Sequence, residues 1–143
     1  MKHLFCGFVA LCGGGIAWFL GGFDGFLNAL VIFMVLDYLS GVMCALYEKK
    51  LSSEIGFRGI FKKVMILVLV GIGASLDRIT GADGIIRAMV IFFYLGNEGL
   101  SLLENAGRLK LPIPLALQNA LIQIKKKSGD SKSSADEKGT EDE

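Results

Sequence analysis

Glu48-Lys49-Lys50-Leu51-Ser52-Ser53-Glu54-Ile55-Gly56-Phe57-Arg58-Gly59-Ile60-Phe61-Lys62-Lys63 is a basic stretch set between long apolar ones, and its placement decides the fold. Before it, Gly25 to Tyr47 is apolar except for Asn28 and Asp37. After it, Val64 to Leu76 is apolar but only 13 residues long. At a rise of about 1.5 Å per residue, 13 residues fall short of a hydrocarbon layer of roughly 30 Å. The third span therefore borrows from Gly59 onward, with Lys62 and Lys63 snorkelling to the surface. The segment from Phe57 to Lys63 is amphipathic enough to lie on lipid headgroups before the chain enters the membrane.

Working outward, Leu4 to Phe23 is a run of 20 uncharged residues, long enough to cross. It reads as a retained helix: its apolar region is longer than that of a cleavable signal, and Trp18 to Asp24 offers no small-residue cleavage pattern. Gly21-Gly22-Phe23-Asp24-Gly25 favours a tight reversal into the second span. Asp77-Arg78-Ile79-Thr80-Gly81-Ala82-Asp83-Gly84 reads as the next turn, and Ile85 to Leu103 as a fourth span interrupted by Asn97 and Glu98. Pro112 and Pro114 break helical continuity by removing backbone donors and disfavouring helix before them. Beyond them Leu115, Leu117, Ala120, Leu121 and Ile124 recur at helical spacing up to Lys125-Lys126-Lys127, describing a short amphipathic helix on the membrane surface or against a partner. Ser128 to Glu143 has no apolar period, and its composition predicts a disordered acidic tail.

The expected architecture is an all-α membrane protein of about four transmembrane helices in two hairpins. A transmembrane domain covers residues 1–105, with spans near 4–23, 25–47, 59–76 and 85–103; an amphipathic helix covers 106–127 and the tail 128–143. Composition agrees. Apolar residues make up 52% of the 143 residues, and mean hydropathy is positive, leaving too little polar surface for a water-soluble globule of this size. The net charge of +1 hides a split: residues 1–127 hold 13 Lys/Arg against 8 Asp/Glu, and residues 128–143 hold 2 against 6.

Basic residues in short loops mark the cytoplasmic side. Lys2, the Lys49, Lys50, Arg58, Lys62, Lys63 cluster, and Arg108, Lys110 and Lys125 to Lys127 follow zero, two and four spans, so four spans place both termini in the cytoplasm. A three-span arrangement, with one short segment lying flat, puts the amino terminus and a basic cluster on opposite sides. The basic cluster is the candidate cytoplasmic anchor, meeting anionic lipid heads.

Asn28, Asp37, Asn97 and Glu98 are the candidate functional residues. An acid at the centre of a span costs about 2.5–3.5 kcal/mol on insertion scales, so such groups turn toward a bundle interior or water. They could form a polar seam lining an oligomer interface or pore. Alternatively the two acids sit near the interface, or are neutral and paired with asparagine. Small residues recur four apart at Ala10/Gly14, Ala17/Gly21, Gly41/Ala45 and Gly71/Ser75, a spacing that permits close helix approach between copies or within one chain.

Other chemistries lack their residues. Cys6, Cys12 and Cys44 all lie in apolar stretches, where a thiol packs as a small hydrophobe. His3 has no spaced ligands, so neither a metal nor another cofactor is expected. There is no Ser/His/Asp set and no phosphate-cradling glycine loop after a strand, so an enzyme is not expected. The basic residues hug the membrane ends without an aromatic reading surface, which argues against nucleic acid.

Asp37-Tyr38-Leu39-Ser40-Gly41, Glu48-Lys49-Lys50-Leu51-Ser52-Ser53, Gly56-Phe57-Arg58-Gly59-Ile60-Phe61-Lys62-Lys63, Asn97-Glu98-Gly99-Leu100-Ser101-Leu102-Leu103-Glu104-Asn105 and Leu111-Pro112-Ile113-Pro114 occur in that order. Together they resemble the family of phage lysis and clostridial toxin-secretion holins over roughly residues 30 to 125. The resemblance implies a non-enzymatic protein of the bacterial inner (cell) membrane. It would accumulate in the lipid bilayer as a homo-oligomer and open lesions for an endolysin, its functional partner, or for a toxin. The acidic tail departs from the lysine-rich ends frequent in that family, and a shorter product from a second nearby start is not expected, since no methionine follows Met1 until Met34. The competing reading is a small structural or regulatory multi-pass membrane subunit. An ion-coupled transporter using Asp37 and Glu98 is weaker, because no inverted repeat with substrate-binding polar groups is clear.

Overall fold

A computed structural model describes residues 2–129, and every regular element among them is helical. The order is α1 (Lys2–Phe19), α2 (Gly25–Tyr47), α3 (Ser53–Thr80), α4 (Ile85–Arg108) and α5 (Leu115–Gly129). The acidic stretch from Asp130 onward lies outside the described residues.

Three helices, α2, α3 and α4, are long and apolar enough to cross a membrane. Their 23, 28 and 24 residues correspond to about 35, 42 and 36 Å. The apolar part of α1, Leu4–Phe19, is shorter, because the chain leaves the helix at Leu20 rather than running on to Phe23. The turn is made by Gly21 and Gly22, both at positive φ, and a side chain at Gly21 would also meet Arg87 Cδ at 2.9 Å.

Asp24 then starts α2 as its N-cap, accepting from the Leu27 amide at 2.9 Å. The opening basic stretch is mostly not a loop. Ser52 caps α3 by accepting from the Ile55 amide at 3.3 Å, Glu54 sits in the first turn where the helix dipole favours an acid, and the helix runs unbroken to Thr80. Only Glu48 to Ser52 connects α2 to α3. α3 ends at Gly81, whose left-handed backbone (φ 70°) lets its amide donate to the Asp77 carbonyl. α4 has no side-chain cap of its own. Asp77 of α3 supplies one across the turn, accepting from the amides of Ile86 at 2.9 Å and Arg87 at 2.8 Å.

α4 is the hub, packing against α2, α3 and α5, whereas α1 packs only lightly, against α3. The core gathers Leu20, Leu27, Leu30, Met34, Ile66, Val70, Ile91 and Leu95, with Phe26 and Phe92 stacked at a tilt, 4.9 Å between centroids. Between helices in lipid there is little hydrophobic driving force, so close packing of small residues and polar bonds must hold the bundle. Gly73 brings α3 to 3.1 Å from the Arg87 backbone, measured from the Cβ it lacks, and Gly71 receives the Phe19 ring.

Three of the four small-residue pairs are occupied within the chain. Gly21 meets Arg87 and Ala74, Gly41 faces Asn105 while Ala45 is buried, and Gly71 takes Phe19. Around Gly14, on α1, there is open space. The outer surface is strongly apolar, from Leu4 at 81% exposure through Phe57 and Phe61 to Ile79, as lipid contact requires.

Candidate functional site

Polar side chains of α2, α3 and α4 fall into three groups along the bundle, the second and third bordering one cavity. At one end, Arg87 of α4 is buried and reaches across to the α1–α2 turn. Its Nε donates to the Leu20 carbonyl at 2.5 Å and its Nη2 to the Gly22 carbonyl at 2.8 Å. Nη1 donates to Asp24 Oδ2 at 2.6 Å, and Nη2 adds a longer bond to Asp24 Oδ1 at 3.3 Å. The hydrogen bond from Arg87 holds the Asp24 carboxyl below its ordinary value, against a smaller opposing effect of burial. Arg78 ties α1 to α3 separately, its guanidinium 4.3 Å over the Trp18 ring and donating to the Trp18 carbonyl.

The middle layer is an ion triad. Lys63 Nζ of α3 donates both to Asp37 Oδ2 of α2 and to Glu98 Oε2 of α4. Glu98 is the most enclosed member at 2% exposure. Asn105 of α4 extends the cluster, donating to Asp37 Oδ1 at 3.3 Å, to the Asp37 carbonyl at 3.4 Å and to Ser40 Oγ at 2.9 Å. Ser40 donates to the Asp37 carbonyl at 2.9 Å, and the Cys44 thiol to the Asn105 carbonyl at 3.3 Å. Among the described residues no buried side-chain nitrogen or oxygen lacks a partner. In the third layer, at the far end of α2 and α4, Arg108 Nη2 meets Glu48 Oε1 at 2.8 Å and Arg108 Nε donates to the same oxygen at 2.9 Å.

Helix geometry gives the depth of the triad. Asp37 lies 13 residues from Asp24, Lys63 lies 14 from Asp77 and Glu98 lies 11 from Arg87. These separations place the triad about 17–21 Å below the Arg87 layer. With the Arg87 layer set at one boundary of a hydrocarbon slab of roughly 30 Å, the triad would lie inside the slab, past its midplane. Two carboxylates face one ammonium there. Taking such charges out of water is costly, and the arrangement survives because each group has a partner.

The structure thus redistributes the residues expected from sequence. Asp37 and Glu98, on different helices, come together. Their shared partner is Lys63, which the sequence reading placed at the headgroups. Lys50 and Lys62 line a cavity of about 330 Å³ between α2, α3 and α4, whose wall also includes Asp37, Lys63, Ser101 and Asn105. Lys49 sits at positive φ in the α2–α3 turn, and Arg58 is exposed on α3. Asn97 does not join the triad; it lines a second cavity of about 270 Å³ with Lys62, Glu98, Ser101, Glu104 and Lys125. Asn28 is exposed on α2, apart from all three layers. No cluster of three or more His, Cys, Asp or Glu with metal-holding geometry occurs among the described residues.

Sequence reasoning missed Arg87 and Asn105 as bundle residues. The sequence reading did not single out Arg87, although its position three residues inside the expected fourth span marks it as needing an acceptor. The spacing of the quoted motifs also acquires a cause. Gly56 and Gly59 of α3 make room for the Tyr38 ring, which would stand 3.2 Å from a Cβ at Gly59, and this seats α3 against α2 one turn before Lys63.

Residues 14–126 match the sequence model of the bacteriophage holin family. The chain is similar to an uncharacterized protein of Listeria monocytogenes, 40% identical over 136 residues, or 95% of this chain and 94% of that one. It is similar to an uncharacterized 14.9 kDa protein of Clostridium perfringens, 42% identical over 128 residues, 89% of this chain and 96% of that one. A protein named a probable holin from Bacillus phage phi105 is 27% identical over 103 residues, 72% of this chain and 76% of that one. No solved structure matches.

Proposed function

Because the chain belongs to the bacteriophage holin family, we propose that it accumulates in the bacterial cell membrane, self-associates there, and opens lesions through which an endolysin, or a secreted toxin, leaves the cytoplasm. The observation that carries this reading is the Asp37–Lys63–Glu98 triad, a group of charges satisfied wholly within one chain at membrane depth. A subunit whose polar groups are closed on one another tolerates lipid on every side while copies accumulate. Separation of α2, α3 and α4 at the triad would then turn Asp37 and Glu98 toward water, and the same charges would line the lesion. Asn97, in its polar cavity beside Glu98, would join that lining, whereas Asn28 would contribute only from the exposed face of α2.

The four-span arrangement is part of the proposal. α1 crosses as the fourth span with local thinning of the bilayer to meet its short apolar length, both termini face the cytoplasm, and Lys49, Lys50, Arg58 and Lys62 anchor that face. The protein acts without catalysis, its functional partner being the released hydrolase.

Inducible expression in bacteria tests the reading. Membrane depolarisation and growth arrest are expected, with lysis only when an endolysin is co-expressed. Unchanged membrane potential at high membrane abundance, with stable co-purification of a single partner, would overturn it in favour of a structural or regulatory subunit.

A further inference from the structure

The cavity of about 330 Å³ between α2, α3 and α4 holds more cations than the bundle pairs. Lys50, Lys62, Lys63 and Arg108 line it against Asp37 and Glu48, four cations to two acids. Lys63 is committed to Asp37 and Glu98, and Arg108 to Glu48. Lys50 and Lys62 are left over: neither forms an ion pair among the described residues, although Lys62 also borders the smaller cavity that contains Glu104. Two unmatched ammonium groups on one space call for an anion.

Depth sharpens the need at Lys62. It precedes Lys63 by one residue, so its backbone stands at the level of the triad, where a bare ammonium in lipid is costly. Its stem can carry the charge toward the headgroups, and the cavity gives that charge a polar route. Lys50, in the α2–α3 connection, borders the same space. α2 and α3 pack only lightly on each other and lean instead on α4, so the cavity lies where they part. The Tyr38 hydroxyl adds a donor to the wall, 3.5 Å from the position of a Cβ at Gly56. Val42, Leu51 and Ile55 give the wall an apolar part. A free phosphate leaves that part bare, whereas the glycerol and first methylenes of a lipid cover it. We propose that the cavity seats the headgroup of one anionic phospholipid, its phosphate between Lys50 and Lys62. The lipid ties the α2–α3 connection to α3 at the end where the two helices part, while Lys49 and Arg58, outside the wall, supply only diffuse attraction. This rests on the membrane placement of the chain, not on lesion opening, and narrows the basic anchor from a surface charge to a site.

The test titrates the full chain in detergent micelles with phosphatidylglycerol, phosphatidylcholine and inorganic phosphate, and counts bound lipid per chain by native mass spectrometry. One phosphatidylglycerol per chain is expected, held roughly tenfold more tightly than phosphatidylcholine and not displaced by millimolar phosphate. Lys50→Gln with Lys62→Gln is expected to weaken phosphatidylglycerol binding by about tenfold or more. Lys49→Gln with Arg58→Gln, an equal loss of charge outside the wall, should weaken it less than about twofold. Equal losses from the two pairs overturn the proposal in favour of diffuse attraction, and so does equal affinity for phosphatidylcholine. Displacement by inorganic phosphate assigns the cavity to a free anion and overturns the lipid. If the Lys50 and Lys62 double variant does not fold, Lys50→Gln alone carries the test, with a loss of about threefold expected; an unchanged affinity overturns the site. Failed depolarisation in cells removes the lesion reading and leaves this site standing, whereas failed lipid selectivity removes the site alone.

Discussion

The Arg87 layer and the Lys63 layer both bury a cation between helices, yet they are built on different principles. Arg87 spreads its guanidinium over two backbone carbonyls and one carboxylate, beside the α1–α2 turn, where Asp24 is 45% exposed. Water can replace part of what is lost there. Lys63 is a single point charge shared by two side-chain carboxylates on two other helices, deep in the bundle. Redundancy at the edge makes a clasp; dependence on one ammonium at depth makes a lock with one key.

The largest way to break this contrast is Lys63→Met, which leaves Asp37 and Glu98 without their cation. A loss of about 3–5 kcal/mol is expected, measured by denaturant titration of the protein in detergent micelles, and the α2–α4 contact should loosen first. Arg87→Leu comes next. It strands the Leu20 and Gly22 carbonyls and Asp24, with an expected cost of about 1.5–3 kcal/mol, and it should free α1 while α2 to α4 stay packed; hydrogen exchange confined to the α1–α2 turn would show this. Gly59→Leu tests the approach that brings Lys63 into range. Crowding the Tyr38 ring should cost about 1–3 kcal/mol, and Tyr38→Ala in the same chain should recover part of it.

The smallest effect is in pH. Because Arg87 lowers the Asp24 pKa, the Arg87–Asp24 pair contributes stability above the ordinary value of 3.8 and loses it as the pH falls through the lowered one. With Asp24 nearly half exposed, this contribution is modest. Asp24→Asn should therefore lower stability by a modest, constant amount near neutrality and flatten the stability profile below about pH 4. An unaltered acid limb in that variant would assign the limb to other carboxyls.

The same contrast explains which parts were legible in the sequence. The bounds of α2 are visible because Asp24 caps it and glycines precede it, signals that act within a few residues. The start of α3 at Ser53 was obscured. Its cap residue Ser52 is present, but Gly56, Gly59 and the lysines read as loop and headgroup residues, and only the position of the Tyr38 ring on another helix shows why glycine stands in a helix there. The acids Asp37 and Glu98 stand out as unusual in apolar runs, but nothing local says that both turn to one lysine. Charge rules place lysine at the surface on average, and pairing across three helices is a property of the packed bundle. The seating of α5 on α4 had a readable trace in Gly96 and Gly99, three residues apart on the span facing the following amphipathic helix.

The measurement that bears most directly on the lock is a neutralisation series compared by denaturant titration: Lys63→Met alone, then Lys63→Met with Asp37→Asn and Glu98→Gln. If the cost of losing Lys63 comes from two uncompensated carboxylates, the triple variant regains most of the lost stability. A triple variant no more stable than Lys63→Met, or a single variant as stable as the parent, would contradict the account.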